Sequence, residues 1–318
     1  MAGEATIMSA SEVNKGKGRE PATLVLGLMA PSLVAMGWLI WQAQWFWTHV
    51  ADLNFGWVVV LLCAYLFYEA WEQRPPVNWR VRWWAVPPLG LGLGLLFLMQ
   101  IYQAGMGTNA ASTAGLALGV MLVVFSNLAL VFGWPGIRKF GMAYAFLLVA
   151  MPMPSAIHGP LVGGLQDLVA TVNTEVLNLM GIPAQRVGSL IQLPSGTVGI
   201  AEACSGIRSL QSTLMATIFI GYLTLNRWSW QVLLLISGMG LAVIGNLGRS
   251  LYLSLMANAH GVESIEEVHD AAGWTILIFT TAGVIAISWL LNKLQQAVDR
   301  EVDAQKARET EGRGEAGV

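Results

Sequence analysis

Charge is scarce in this chain. Its 318 residues include 17 Lys and Arg against 19 Asp and Glu, so charged side chains make up 11% and the formal net charge is −2. That balance gives no electrostatic basis for binding nucleic acid. Cysteine is scarcer still, with only Cys63 and Cys204. Cys63 lies inside Val-Val-Val-Leu-Leu-Cys-Ala-Tyr-Leu and reads as a small hydrophobe. No disulfide with Cys204 is expected, so the two thiols do not indicate a redox compartment. No cofactor and no metal is implied. What the sequence has in quantity is apolar surface: 55% of residues are hydrophobic, with 14 Trp and 35 Gly. Such a composition describes an all-α polytopic membrane protein, in which Trp marks the interfaces and Gly allows close helix packing.

Apolar runs of spanning length occur at about 23–43, 56–71, 83–101, 113–133, 140–156, 206–225, 231–257 and 272–292. Taking about 20 residues per crossing, they predict roughly eight transmembrane helices. The polar segment before the first run carries Lys15, Lys17 and Arg19. The run itself is long, ends in Trp-rich sequence and lacks a small-residue cleavage site, so it reads as a first spanning helix, not a removed signal peptide. Three regions follow: a tail over 1–22, one integral-membrane domain over 23–292, and a second tail over 293–318, whose alternating charges predict a helix fragment or disorder.

Lys and Arg then set the orientation. Lys15, Lys17, Arg19, Arg74, Arg80, Arg82, Arg138, Lys139, Arg227, Lys293 and the basic residues beyond it all fall on one side if the spans alternate. By the positive-inside rule that side is the cytoplasm, which places both termini there. Only Arg186, Arg208 and Arg249 depart from the pattern. All four histidines, His49, His158, His260 and His269, fall in or beside the outward loops.

The outward segment 157–205 does not read as a span. It follows Met-Pro-Met-Pro-Ser at 151–155, whose prolines end the fifth run. Over 160–180 the apolar residues keep helical spacing while Gln166, Asp167, Asn173, Thr174 and Glu175 interrupt them. This pattern predicts an amphipathic helix at the outer interface. Residues 185–202 predict two short strands around Pro194-Ser195-Gly196, a small hairpin leading to the next helix.

That next helix begins after Glu202-Ala-Cys204-Ser205-Gly-Ile-Arg208. A cysteine at a helix N-terminus meets unpaired backbone N–H groups and the positive end of the helix dipole, both of which favour the thiolate. One helix later Asn246 and Arg249 stand in an apolar context, one turn apart on one face, near Gly238, Gly240, Gly245 and Gly248. An arginine there costs at least ~2.5 kcal/mol on insertion scales and so points to function, the competing role being a side chain snorkelling to the outer headgroups. His269 then opens the last span in Glu-Val-His-Asp-Ala-Ala-Gly-Trp, residues 267–274. A nucleophile, a proton carrier and a positive group therefore come from three successive helices, which are the needs of cysteine acyl transfer.

The combination resembles the exosortase and archaeosortase family of integral-membrane cysteine transpeptidases. The matching residues are Pro152-Met-Pro154, Gly181-Ile-Pro183 and Gly188, Ala203-Cys204-Ser205-Gly206-Ile207-Arg208-Ser209, Asn246-Leu-Gly-Arg249, and His269 with Gly273-Trp274. They cover roughly residues 140–292, while the first four spans match in hydropathy alone. The resemblance implies Cys204 as nucleophile, His269 as general acid/base and Arg249 as stabiliser of the thiolate or oxyanion. Archaeal relatives often have Arg at the last position, so His269 points to the bacterial branch. Supporting positions are Arg208, Asn246, Glu202, Ser205 and Asp270. Arg208 is an alternative to Arg249 for the electrostatic role, or a site for an acidic residue of the substrate, and Glu202 and Asp270 are alternatives for orienting His269 or Arg249.

The resemblance also implies a partner: a secreted protein whose C-terminal sorting tail carries a short motif such as Pro-Glu-Pro, one membrane helix and a basic cluster, in a setting of exopolysaccharide production. Cleavage at the periplasmic face of the inner membrane would pass through a thioester to an unknown acceptor nucleophile. Two other readings compete. One is a non-catalytic component of polysaccharide export or a transporter, and the other is a membrane protease that only hydrolyses.

Overall fold

The computed structural model describes residues 20–199 and 206–315, with side chains throughout except at 266, 267 and 307–315. Glu202, Cys204 and Ser205 lie outside the described residues, as do Lys15, Lys17 and Arg19 of the N-terminal tail. The helices are α1 (Ala22–His49), α2 (Gly56–Glu72), α3 (Val86–Met106), α4 (Ala110–Val131), α5 (Trp134–Ala145), α6 (Ser155–Leu179), α7 (Ile207–Thr224), α8 (Trp228–His260) and α9 (Ser264–Glu315). Strands β1 (Gln185–Val187), β2 (Leu190–Leu193) and β3 (Gly196–Gly199) lie between α6 and α7.

Among the described residues, six helices are long and apolar enough to cross a membrane: α1, α2 with the 3-10 turn before it, α3, α4, α8 and α9. The broken pair of α5 with its 3-10 extension and α6 raises the number to at most seven. Two of the eight apolar runs therefore do not make a simple span. The fifth is interrupted at Met151-Pro-Met-Pro154, where the prolines withhold backbone donors. The sixth, α7, is 18 residues long, and Arg208, Ser209, Gln211, Ser212 and Thr213 make its first two turns polar.

The chain divides into two compact units. The first comprises residues 1–49 and 56–152, the second residues 50–55 and 153–318. In the first, α4 packs against α1, α3 and α5, and α2 against α5. Polar stitches hold it: Ser32 Oγ donates to Asn127 Oδ1 at 2.6 Å, and the Asn127 amide donates to Leu28 O at 3.2 Å. The Trp47 indole donates to Ala150 O at 2.8 Å in a buried contact. Each pairing satisfies a polar group that would otherwise be costly to bury.

In the second unit α7, α8 and α9 pack on one another. Their close approach uses small residues: a methyl at Gly238 would overlap Thr217, and one at Gly245 would lie 3.4 Å from Ile276 and Thr280. Gly240 and Gly248, which the sequence groups with them, face open space. At one end, Leu225, Leu234, Val284 and Leu291 form a core. Beyond it the backbone N–H of Asn226 donates to Gln295 Oε1 at 3.2 Å, and Arg227 pairs with Asp299. The C-terminal region is accordingly a direct continuation of α9 to Glu315, secured to the α7–α8 connection.

At the other end lies the sheet, in the antiparallel order β1-β2-β3. The expected hairpin around Pro194 is present as β2 and β3, and Gln185–Val187 adds a third strand whose side chains are all exposed. Ile191, Leu193 and Val198 of the sheet join Val169, Ala170 and Leu177 of α6 and Ala257 of α8 in one core. The amphipathic segment is thus a helix with a buried apolar stripe, and its polar residues are also used. Asn173, 1% exposed, donates to Leu247 O of α8 at 3.4 Å, while Asp167 pairs with Arg186 of β1 at 2.7 Å.

These contacts predict opposite outcomes for two glycines of α8. Gly238→Val drives a side chain into Thr217 and lowers stability by about 1–3 kcal/mol, read as a lower melting temperature of the purified protein in detergent. Gly240→Ala meets nothing, and its effect stays within about 1 kcal/mol and toward greater stability, since alanine is the better helix former.

Candidate active site

α7 opens at Ile207, with Gly206 as its N-terminal cap in a left-handed conformation (φ 77°, ψ 1°). A side chain at Gly206 would be strained there. The Ser209 hydroxyl donates to Gly206 O at 2.8 Å, and Leu210 N–H donates to the same oxygen at 2.9 Å, closing the first turn. The helix start therefore falls where the sequence predicts, at Ile207, three residues after Cys204.

α8 arrives at this end late in its course. Counting from Trp228, Arg249 lies 21 residues along, ~32 Å at ~1.5 Å per residue. Its Nη2 lies 3.0 Å from His269 Nε2 and also donates to His269 O at 3.4 Å. Gly273, one turn further along α9, faces the guanidinium: a Cβ there would make ordinary van der Waals contact, 3.5 Å from Nη2. The arginine is thus turned toward α9, which argues against simple snorkelling.

The chemistry of these groups fixes the histidine tautomer. A guanidinium has only donors, so Nε2 must accept from it and the ring proton resides on Nδ1. Nδ1 lies 3.3 Å from Asp270 Oδ1 and donates to it. Asp270 itself is 95% exposed on its side chain, so this contact orients the ring but is weakened by solvent. Of the two acidic residues expected to orient His269 or Arg249, Asp270 lies against the imidazole and Glu202 is outside the described residues.

Asn246 lies one turn before Arg249 and is 4% exposed. Its amide sits against Gly206: a Cβ added to that glycine would be 2.5 Å from Asn246 Cγ and Nδ2. Through α8, the start of α7 and the start of α9 are held at one level.

Arg208 makes a different contact. Its Nε and Nη2 donate to Asp52 Oδ1 at 3.0 and 2.8 Å. Asp52 belongs to a 3-10 turn, Ala51–Leu53, between α1 and α2, and a single acid in a loop carries no sequence signal that separates it from a solvated one. The pair puts that connection beside the start of α7. All three arginines that depart from the charge pattern are thereby engaged: Arg186 with Asp167, Arg208 with Asp52, and Arg249 with His269.

Cys63 is buried within α2. Among the described residues no group of three His, Cys, Asp or Glu side chains could hold a metal ion.

These features define a class: a polytopic helical membrane protein with a part-buried arginine–histidine contact between α8 and the start of α9. The family profile of the transmembrane exosortases (Exosortase_EpsH) matches residues 45–286, most of the chain, and the chain belongs to that family. No curated protein and no solved structure matches it. Membership makes the protein a membrane transpeptidase of the exosortase kind, in general terms a cysteine transpeptidase.

Two outcomes follow from the geometry. The 15N spectrum of labelled histidine, assigned by difference with His269→Gln, shows a bare Nε2 and a protonated Nδ1 at His269, and Arg249→Met abolishes that preference. A dominant Nε2–H form in the unaltered protein contradicts the contact. Asp52→Asn, by contrast, lowers stability by less than about 1 kcal/mol, because the ion pair is half exposed; thermal unfolding in detergent measures it.

Proposed function

We propose that this protein cleaves the C-terminal sorting tail of secreted proteins and passes the new C-terminus to a second nucleophile, with Cys204 as the attacking group. The observation that carries the reading is the Arg249–His269 contact, 3.0 Å between Nη2 and Nε2, on a helix whose previous turn abuts Gly206. Two peptide units separate Gly206 from Cys204, a reach of about 7 Å.

In this reading His269 Nε2 takes the thiol proton of Cys204 as the Arg249 N–H turns from it toward the developing oxyanion. Sulfur bonds to the carbonyl carbon of the scissile peptide, and the tetrahedral centre collapses with loss of the C–N bond. The proton held on Nε2 goes to the leaving amine, and the tail departs. A thioester on Cys204 remains until an acceptor nucleophile attacks it and regenerates the thiol. Arg208, held by Asp52, lies at the same helix start and is the residue suited to an acidic side chain of the substrate, leaving Arg249 for the oxyanion.

The substrate in this account ends in a short motif such as Pro-Glu-Pro, followed by a membrane helix and a basic cluster. That helix would lie against the α7–α9 group, with the motif at the membrane boundary. The charge pattern supports a location in the inner membrane, both termini cytoplasmic and the site periplasmic. Residues 23–292 would act as one catalytic domain, flanked by tails 1–22 and 293–318.

Expression with a tagged substrate tests the roles. Cys204→Ala and Cys204→Ser lower processing by on the order of 10⁴-fold or more, so full-length precursor accumulates. Arg249→Ala costs on the order of 10²–10³-fold, as for loss of an oxyanion donor, and His269→Ala also leaves precursor. Normal processing by Cys204→Ala overturns the enzyme reading. The mature C-terminus, read by mass spectrometry, carries an adduct if the thioester is passed to an acceptor; a free carboxylate indicates hydrolysis instead.

A further inference from the structure

The basic residues of the first unit have no acids to meet them. Between Glu72 and Asp167 the chain contains no Asp or Glu, yet Arg74, Arg80, Arg82, Arg138 and Lys139 all fall there. In the second unit Arg186, Arg208 and Arg227 each meet a carboxylate. Among the described residues, no carboxylate pairs with any of the first unit's five, and Glu20, Glu69 and Glu72, the described acids of that unit, make no ion pair.

The five cations are gathered at one end of the unit. Pro75 and Pro76 withhold backbone donors and stop α2, and the chain that follows is laced across the end of α4. Asn78 N–H donates to Val131 O at 2.8 Å, and Arg82 Nη1 donates to Ala129 O at 3.2 Å. Gly133, the cap of α5, faces Arg82: a Cβ there would be 2.5 Å from Nη2. Arg138 and Lys139 follow in the first turns of α5, and Lys139 Nζ donates to Gln73 Oε1 at 2.7 Å, back beside Arg74.

A cavity of about 270 Å³ opens at this end. Leu28 of α1 and Leu130 and Val131 of α4 form its apolar wall, and the α2–α3 connection closes it from Val77 to Val81, with Arg80 among the lining residues. The same connection displays Trp79, Val81, Trp83 and Trp84, all exposed. Indole rings are favoured at the headgroup level of a bilayer, where their apolar body and polar N–H are both accommodated. α1 and α3 begin here and α4 ends here, all three of spanning length, so the cavity lies where apolar helices reach the membrane boundary.

Apolar walls, a cation with no carboxylate and a fringe of indoles together suit an amphiphile that carries phosphate. We infer that this cavity is a binding site for one anionic phospholipid, its headgroup phosphate at Arg80 and its glycerol and first acyl carbons against Leu28 and Leu130. Arg74, Arg82, Arg138 and Lys139 supply the surrounding positive field that selects an anionic lipid over a zwitterionic one. The site lies within the first unit and does not depend on the chemistry at Cys204.

The test titrates the purified full-length protein in detergent with dioleoyl phosphatidylglycerol or dioleoyl phosphatidylcholine and counts bound lipid by native mass spectrometry. One phosphatidylglycerol is expected per chain, held about tenfold more tightly than phosphatidylcholine. Arg80→Gln weakens it about fivefold, the effect of one cation at an anionic surface. Leu130→Trp fills the cavity, leaves every charge in place and weakens retention at least as much. Arg300→Gln, an exposed arginine on α9 outside the first unit, changes nothing. Equal losses in the Arg80 and Arg300 variants overturn the inference, because net charge alone then explains retention. Unaltered retention in a folded Leu130→Trp protein also overturns it, as does displacement of the lipid by an equal concentration of inorganic phosphate, which marks a site for the free anion. A dimer that retains no lipid and is lost with Arg80→Gln assigns the cavity to a second copy of the chain and overturns it as well.

Discussion

A guanidinium placed well inside an apolar helix must find acceptors from its neighbours, since lipid provides none and leaving it unsatisfied costs several kcal/mol, at least ~2.5 on insertion scales. For Arg249 the neighbour is His269 on the following helix, which supplies both its ring nitrogen and its carbonyl. The contact determines much else. It requires α8 and α9 to approach closely, and Gly245 and Gly273 face the neighbouring helix at that approach. It consumes the lone pair of Nε2, which fixes the tautomer and directs Nδ1–H to Asp270. It also ties the rotation of α8 to the histidine, and Asn246, one turn back, comes against Gly206.

The sheet has a structural part in the same arrangement. Ile191, Leu193 and Val198 form an apolar plug between α6 and the end of α8, and the chain leaves β3 to reach the cysteine and α7. Anchoring at the plug, at Asn246 and at the Arg208–Asp52 pair brackets the short stretch that carries Cys204.

Much of this was legible in the sequence, for identifiable reasons. Arg249 and His269 stood out because bilayer energetics make an arginine in an apolar helix rare and because the charge pattern isolates three arginines on the wrong side. The start of α7 was legible from Gly206 and the change to helical apolar spacing. The break at Met151-Pro-Met-Pro154 was legible because proline removes backbone donors. Asp52 was not: nothing local distinguishes an acid in a short loop, and its partner lies 156 residues away. Strand β1 was missed because its three exposed side chains carry no alternation of burial. The eight apolar runs exceed the six or seven candidate spans among the described residues because prolines break the fifth run at Met151-Pro-Met-Pro154 and the first two turns of α7 are polar. The depth of polar packing on α6 was hidden for a related reason, since Asn173 reads as a surface residue until α8 offers it a carbonyl.

The central claim is that Cys204 becomes covalently joined to the substrate. Incubating the purified protein with a tagged substrate, quenching in acid and examining the digest by mass spectrometry measures this directly. The account predicts a peptide containing Cys204 that carries the substrate's new C-terminal residues through a bond cleaved by neutral hydroxylamine, the signature of a thioester. Substrate turnover with Cys204 recovered only as the free thiol, and no hydroxylamine-sensitive adduct in rapidly quenched samples, would contradict it.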